Sequence, residues 1–326
     1  MADPYRFWLR ETGGPDVLRP ELIDIPSPAD GEVLVRHEAV GLNFIDTYHR
    51  SGLYPLPLPS GIGSEAAGIV EAVGPGVEDF REGQRVGYFS APVGAYATHR
   101  TIAADRLVKL PEAISSEVAA AAMLKGCTAE YLIERCAHIE RGEAVLVHAA
   151  AGGVGSILVQ WLKSLGAVVI AHSGSSTKAK RAESLGADHA LCCPMSELAG
   201  AVRALTGGKG VPVVLDGVGA DSWEASLGSV ARRGLIVTYG NASGPVPPFS
   251  ALDLLKAGSA FVTRPTLSDY MLTSEEMRTS ATRLFEMIES GALEVAAGTT
   301  FPLTDAADAH RAMEGRSTSG SVVLIP

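Results

Sequence analysis

From about residue 142 to residue 262 the chain alternates short, almost wholly apolar runs with amphipathic segments. No other feature of the sequence narrows the possible folds so far. The apolar runs fall at 144–149, 168–171, 213–215, 235–238 and 260–262. Strands that are apolar on both faces need cover on both sides, which a parallel sheet flanked by helices supplies. After the first run, Ile157, Leu158, Trp161, Leu162 and Leu165 recur at helical spacing, and Gly166 stands where a helix stop belongs. The expectation is an α/β, doubly wound parallel-sheet nucleotide domain of the Rossmann kind.

The first 120 or so residues read differently. Short strands at 32–37 and 66–74 are punctuated by turn signals at Ser27-Pro28, Asp30-Gly31, Pro75-Gly76 and Glu82-Gly83. Such spacing predicts a compact, barrel-like β domain with few helices. The last 60 or so residues hold a helix striped by Leu284, Phe285, Met287 and Ile288, and then a strand over Ser321–Ile325. We assign this tail to the β-rich domain. The expected division is 1–124 plus 267–326 for a β-rich substrate domain, with 125–266 inserted as the nucleotide domain. A chain of 326 residues fits two cores better than one.

The turn after the first apolar run carries the chemistry. AAAGGVG at 149–155 lies between a predicted strand and a predicted helix, the context that gives a glycine motif its meaning. Gly152 and Gly153 lack a Cβ and let backbone approach a pyrophosphate. Gly155 lets the helix pack against the strand, and the helix N-terminus attracts the anion. Ala149 stands where the usual fingerprint has its first glycine. An NAD site carries an acidic residue about 20 residues further on, against the ribose 2′-hydroxyl. Here the second strand ends His172-Ser173-Gly174-Ser175-Ser176-Thr177-Lys178, with no carboxylate. Hydroxyls followed by a cation suit a 2′-phosphate, so the cofactor expected is NADPH.

Composition limits the partners. There are 37 acidic against 27 basic side chains, a net charge of -10, which disfavours nucleic acid and anionic membrane. No apolar run approaches the ~20 residues of a spanning helix, and no export signal stands at the N-terminus. Cys127, Cys136, Cys192 and Cys193 form no CxxC pair, which points to a reducing, cytoplasmic setting rather than a disulfide framework. The β-rich part also lacks a metal set. Zinc alcohol dehydrogenases, to which the two-part layout is similar, have a cysteine near Asn43 and a histidine at Ser64; no metal is expected here.

Several segments together resemble the zinc-free quinone oxidoreductases, the zeta-crystallin-like branch of the medium-chain dehydrogenase/reductase family. They are NFIDTY at 43–48, SGLYP at 51–55, LKGCT at 124–128, the AAAGGVG turn, Tyr239-Gly240-Asn241 and Thr263-Arg264-Pro265. The resemblance spans nearly the whole chain. It implies a GroES-like β-rich domain, NADPH-dependent reduction of quinones, a homodimer, and a cleft between the domains. By position it places Asn43, Tyr48 and Tyr54 at the nicotinamide end and the acceptor pocket. It gives cofactor contacts to Thr128, Tyr131, Gly152, Gly153 and Val154, with Gly174 and Lys178 on the 2′-phosphate. Tyr239, Gly240, Asn241, Arg264, Pro265 and Thr266 would close over the nicotinamide half, and Arg316 would reach it from the β-rich domain. Cys193 departs from the family's usual tyrosine beside the adenosine.

The acceptor expected is a flat conjugated molecule such as a quinone, reduced without a metal by electrons from the nicotinamide. Two other readings stay open: a reductase of conjugated enones or alkenals, and a non-catalytic NADPH-binding protein with a structural or RNA-contacting role.

Overall fold

The computed structural model describes residues 3–90, 92–315, 317–318 and 320–326. Two compact units divide the chain. One comprises 1–127, 271–289 and 294–326; the other comprises 128–270 and 290–293.

The central segment forms a six-stranded, all-parallel sheet. In chain order its strands are Ala144–Val147, Val168–His172, His189–Leu191, Val211–Asp216, Val230–Thr238 and Phe261–Thr263, and in space they lie in the order 3-2-1-4-5-6. This is the doubly wound arrangement that the alternating apolar runs predict. Val145, Leu146, Val147 and Val169 are wholly buried, which is why their stretches carry no polar alternation. Gly166 ends the helix Gly153–Leu165 in the left-handed region at φ 78°, and Trp161 and Leu162 face its core. The fifth strand begins earlier than the run at 235–238. Exposed Arg232 and Arg233 break its apolar pattern, and Arg233 takes φ 60°.

In the β-rich unit the strand Glu32–Leu42 runs past the predicted 32–37. Register shifts near Leu34 and His37 carry the strand onward while hiding its period. His37 interrupts the apolar pattern yet is buried, with Nδ1 2.7 Å from the Ala97 carbonyl and Nε2 3.0 Å from the Tyr88 hydroxyl. This strand pairs with Glu65–Val73, His99–Ala103 and the C-terminal Ser321–Ile325, all antiparallel. A three-stranded sheet centred on Tyr5–Leu9 shares its core through Phe7 and Leu9. Helices are more numerous here than expected: beside the expected tail helix, which is Ser274–Glu289, Phe44–Ser51 and Ala306–Glu314 belong to this unit. Leu303, Ala306 and Ala309 pack the last of them into the core.

Candidate active site

In the nucleotide unit the turn after the first parallel strand bends through Ala149, whose φ is 49°. A side chain there costs about 1–2 kcal/mol relative to a relaxed backbone, which is why glycine is usual at that place. Gly152 then precedes the helix in extended geometry, leaving the N–H groups of Gly153, Val154 and Gly155 without intrahelical partners. A Cβ on Gly155 would stand 2.3 Å from the Ala149 carbonyl oxygen, so only glycine keeps the helix this near the turn.

The remaining predicted cofactor residues of this unit gather at equivalent places. Gly174 and Lys178 follow the second strand, and Cys193 follows the third. Tyr239, Gly240 and Asn241 follow the fifth, and Arg264, Pro265 and Thr266 the sixth. With the glycine turn they occupy the carboxyl ends of five of the six strands, where ligands of open α/β sheets bind. The residues present suit a phosphorylated dinucleotide. Gly174 is exposed, with open space where a Cβ would stand. Beside it the Ser173 hydroxyl is buried, with no hydrogen-bond partner among the described residues. Ser175 caps the next helix by accepting from the Lys178 backbone N–H at 3.3 Å, which leaves the lysine ammonium to act separately.

Thr128 and Tyr131 are both buried. The Tyr131 ring stacks on Tyr270 with centroids 4.4 Å apart, and burial pushes its phenol well above the ordinary range. Cys193 is half-buried and packs against the core of this unit, while Cys192 is exposed. The Cys193 carbonyl lies 3.0 Å from His172 Nε2. Arg316 lies outside the described residues.

The sequence reading missed an anchor after the fourth strand. Buried Asp216 accepts from the N–H of Val218 at 2.8 Å and from the hydroxyls of Ser222 and Ser226 at 2.7 Å. Ser226 in turn lies 3.0 Å from His148 Nε2, tying this loop to the strand that feeds the glycine turn. The stretch DGVG at 216–219, directly after an apolar run, was the available signal.

In the β-rich unit Asn43 opens the helix Phe44–Ser51 and sits in a buried polar cluster. Its backbone N–H donates to Asp46 Oδ2 at 2.9 Å, and its side-chain amide donates to Glu65 Oε2 at 2.9 Å. Ser64 donates to Asp46 Oδ1 at 3.1 Å, and the Leu124 N–H donates to Glu65 Oε1 at 2.6 Å. Burial, the largest influence, pushes the Asp46 carboxyl up to about 7 and raises that of Glu65, while the Lys125 ammonium opposes both shifts. Tyr96 extends the cluster, its hydroxyl 3.4 Å from Asp46 and 2.9 Å from His310 Nε2. A Cβ on Gly41 would lie 2.4 Å from Glu65 Oε2, so glycine there is what admits the carboxylate. Tyr48 stands half-buried on the same short helix, its ring centroid 5.1 Å from that of Tyr54. Asn43, Tyr48 and Tyr54 thus lie on one short stretch of this unit. The buried carboxyls, lysine, tyrosine and histidine beside Asn43 were not recognised as one group in the sequence. Among the described residues no three His, Cys, Asp or Glu side chains gather as round a metal ion.

Comparison with known proteins supplies the family. Residues 29–112 match the alcohol dehydrogenase GroES-like domain, and 153–286 match the zinc-binding dehydrogenase family. A quinone oxidoreductase of Pseudomonas aeruginosa is 48% identical, over 96% of this chain and 97% of its own length. A 2-haloacrylate reductase from a Burkholderia species is 43% identical, over 98% of both chains. The crystal structure of Escherichia coli quinone oxidoreductase complexed with NADPH superposes with a TM-score of 0.96 at 46% identity, covering 99% of this chain and 100% of that one. A GroES-like domain and a doubly wound nucleotide domain, joined to near-full-length identity of this order, make the chain a member of the quinone oxidoreductases of the medium-chain dehydrogenase/reductase family.

Proposed function

We propose that the protein is an NADPH-dependent quinone reductase that works without a catalytic metal. The observation that carries this reading is the set of loops at the strand carboxyl ends, with hydroxyls and Lys178 where an NAD site would carry an acidic residue. When bound, NADPH supplies the hydride. The chain's own residues bind and orient. The helix N-terminus at Gly153 and Val154 takes the pyrophosphate, and Gly174 with Lys178 takes the 2′-phosphate. Asn43, Tyr48 and Tyr54 line the place of a flat acceptor, and holding it in register supplies much of the rate. In place of soft or imidazole ligands the β-rich unit has Asn43 and Ser64, with Lys125 beside Glu65, a set that suits oxygen acceptors and not zinc.

The four free cysteines fit a cytoplasmic setting, and no helix among the described residues is long and apolar enough to cross a membrane. A homodimer would cover the open edge strand Phe261–Thr263, where Phe261, Leu252 and Leu255 are each more than half exposed. Light scattering on the purified protein tests that assembly.

A second reading, reduction of a conjugated carbon–carbon double bond, is favoured by the 2-haloacrylate reductase likeness. Initial rates of NADPH and NADH oxidation with 1,4-benzoquinone, 9,10-phenanthrenequinone and an enone separate the two. Fastest turnover is expected with NADPH and a quinone; an enzyme that turns over the enone alone is a double-bond reductase.

A further inference from the structure

Lys125 sits in the helix Ser116–Glu130 within an almost wholly apolar stretch, and its side chain is only 7% exposed. The nearest carboxylate oxygen, Glu65 Oε2, is 3.7 Å from Nζ, close enough for charge compensation but too far for a hydrogen bond. Glu65 is already served by the Asn43 amide and the Leu124 N–H. No described residue accepts a hydrogen bond from the Lys125 ammonium. A buried ammonium whose N–H groups make no hydrogen bond within the protein is costly unless a ligand takes them. The ammonium and the Asn43 amide address the same oxygen of Glu65, so Lys125 stands beside the residue assigned to the acceptor pocket.

We propose that the Lys125 ammonium binds the carbonyl oxygen of the acceptor and stabilises the negative charge that develops there during reduction. The proposal rests on the quinone-reductase reading and adds the group that takes the part of a Lewis acid. The acceptor gains a hydride, one proton and two electrons, from the bound NADPH, and NADP+ remains. The quinone becomes a hydroquinone monoanion whose charge settles on the oxygen held by Lys125. That oxygen then takes a proton from water to complete the hydroquinone. Preorganised charge aimed at a developing oxyanion, in a site shielded from water, is among the strongest means a protein has of lowering a barrier. Glu65 acts through Lys125. It keeps the ammonium in place, while Gly41 leaves room for its carboxylate.

The test needs no turnover at its first step. 4-Nitrophenol, a flat phenol of quinone shape, is titrated against pH in the presence of the wild-type protein and without NADPH, and its phenolate absorbance is read. A neighbouring ammonium should lower the phenol's apparent pKa by about one unit or more. The shift should persist in K125R and vanish in K125M. In steady state K125M should lose about tenfold to a hundredfold in quinone kcat, the worth of a charge-assisted hydrogen bond to an oxyanion. Its NADPH affinity, read by tryptophan fluorescence, should stay unchanged. Since K125M strands a buried carboxylate, the double variant K125M/E65Q removes both charges together and should show the same losses with the fold kept. An unshifted nitrophenol on the wild type overturns the proposal, as does a folded K125M/E65Q that reduces quinones at the wild-type rate. A wild type that shifts nitrophenol but reduces no quinone supports the oxygen site and removes the quinone reading.

Discussion

Replacing Lys178 with alanine isolates the cofactor assignment from everything else in the molecule. Lys178 lies in the first turn of the helix Ser176–Ser184, a turn with no acidic side chain. The cap on that helix uses the lysine's backbone N–H, donated to Ser175 Oγ at 3.3 Å, so alanine keeps it. Alanine is also the best helix former, and the substitution should leave stability nearly unchanged. What is lost is an ammonium at the end of the second strand. A hydrogen bond to a charged group is worth about 1.5–3 kcal/mol, and because Lys178 is half-buried and open to salt the lower end applies. At about 1.4 kcal/mol per factor of ten, the NADPH KM should rise about tenfold or more. NADH has no 2′-phosphate, and its kinetics should barely move. Initial rates with each cofactor against one quinone at fixed ionic strength give the answer, and repeating the NADPH series at high salt should shrink the wild-type advantage. An equal loss for NADPH and NADH would refute the reasoning, since the lysine would then be supporting the loop and not reading the phosphate.

Two further substitutions probe local physics. Ala149→Gly removes the cost of a side chain at φ 49°, less the entropy that glycine adds to the unfolded chain. A net gain of up to about 1 kcal/mol is expected, seen as a rise in melting temperature, and a fall would show that the methyl group makes contacts worth more than the strain. Asp46→Asn tests the buried cluster through pH. The wild-type carboxyl has its folded value pushed up to about 7 from an ordinary 3.8. Between those values the folded state holds a proton that the unfolded chain has released, so the wild type's advantage is full below about 3.8 and is lost as pH rises through about 7. Asparagine does not titrate, so melting temperatures followed across that window should show the wild type losing ground to D46N as pH rises. A gap that is flat with pH would mean that Asp46 stays ionised throughout.

How far the molecule could be read in advance depended on the range over which each signal acts. The parallel sheet was legible because strands such as 144–147 and 168–172 are covered on both faces, and an unbroken apolar run is local information. Gly166 and the glycines at 152–155 were legible for the same reason, since a left-handed cap or a close helix–strand approach leaves its mark within a few residues. The strand Glu32–Leu42 was only half visible. Its register shifts put His37 into the core, where a period-two reading takes a polar residue for a strand end. The polar cluster beside Asn43 left still less trace. It draws on Gly41, Asp46, Ser64, Glu65, Tyr96, Lys125 and His310, joined only after the β-rich unit has folded strand on strand. Each member has an ordinary explanation by itself: a helix-capping acid, a strand-end glutamate, a core tyrosine. Lys125 is the exception, because a charge in the stretch AAAAMLKGCTA cannot be buried without a carboxylate from elsewhere in the chain. The same anomaly that implies a distant partner also implies a function. Glu65 compensates the charge without taking the hydrogen bonds, and the donors left over are those an acceptor oxygen would use.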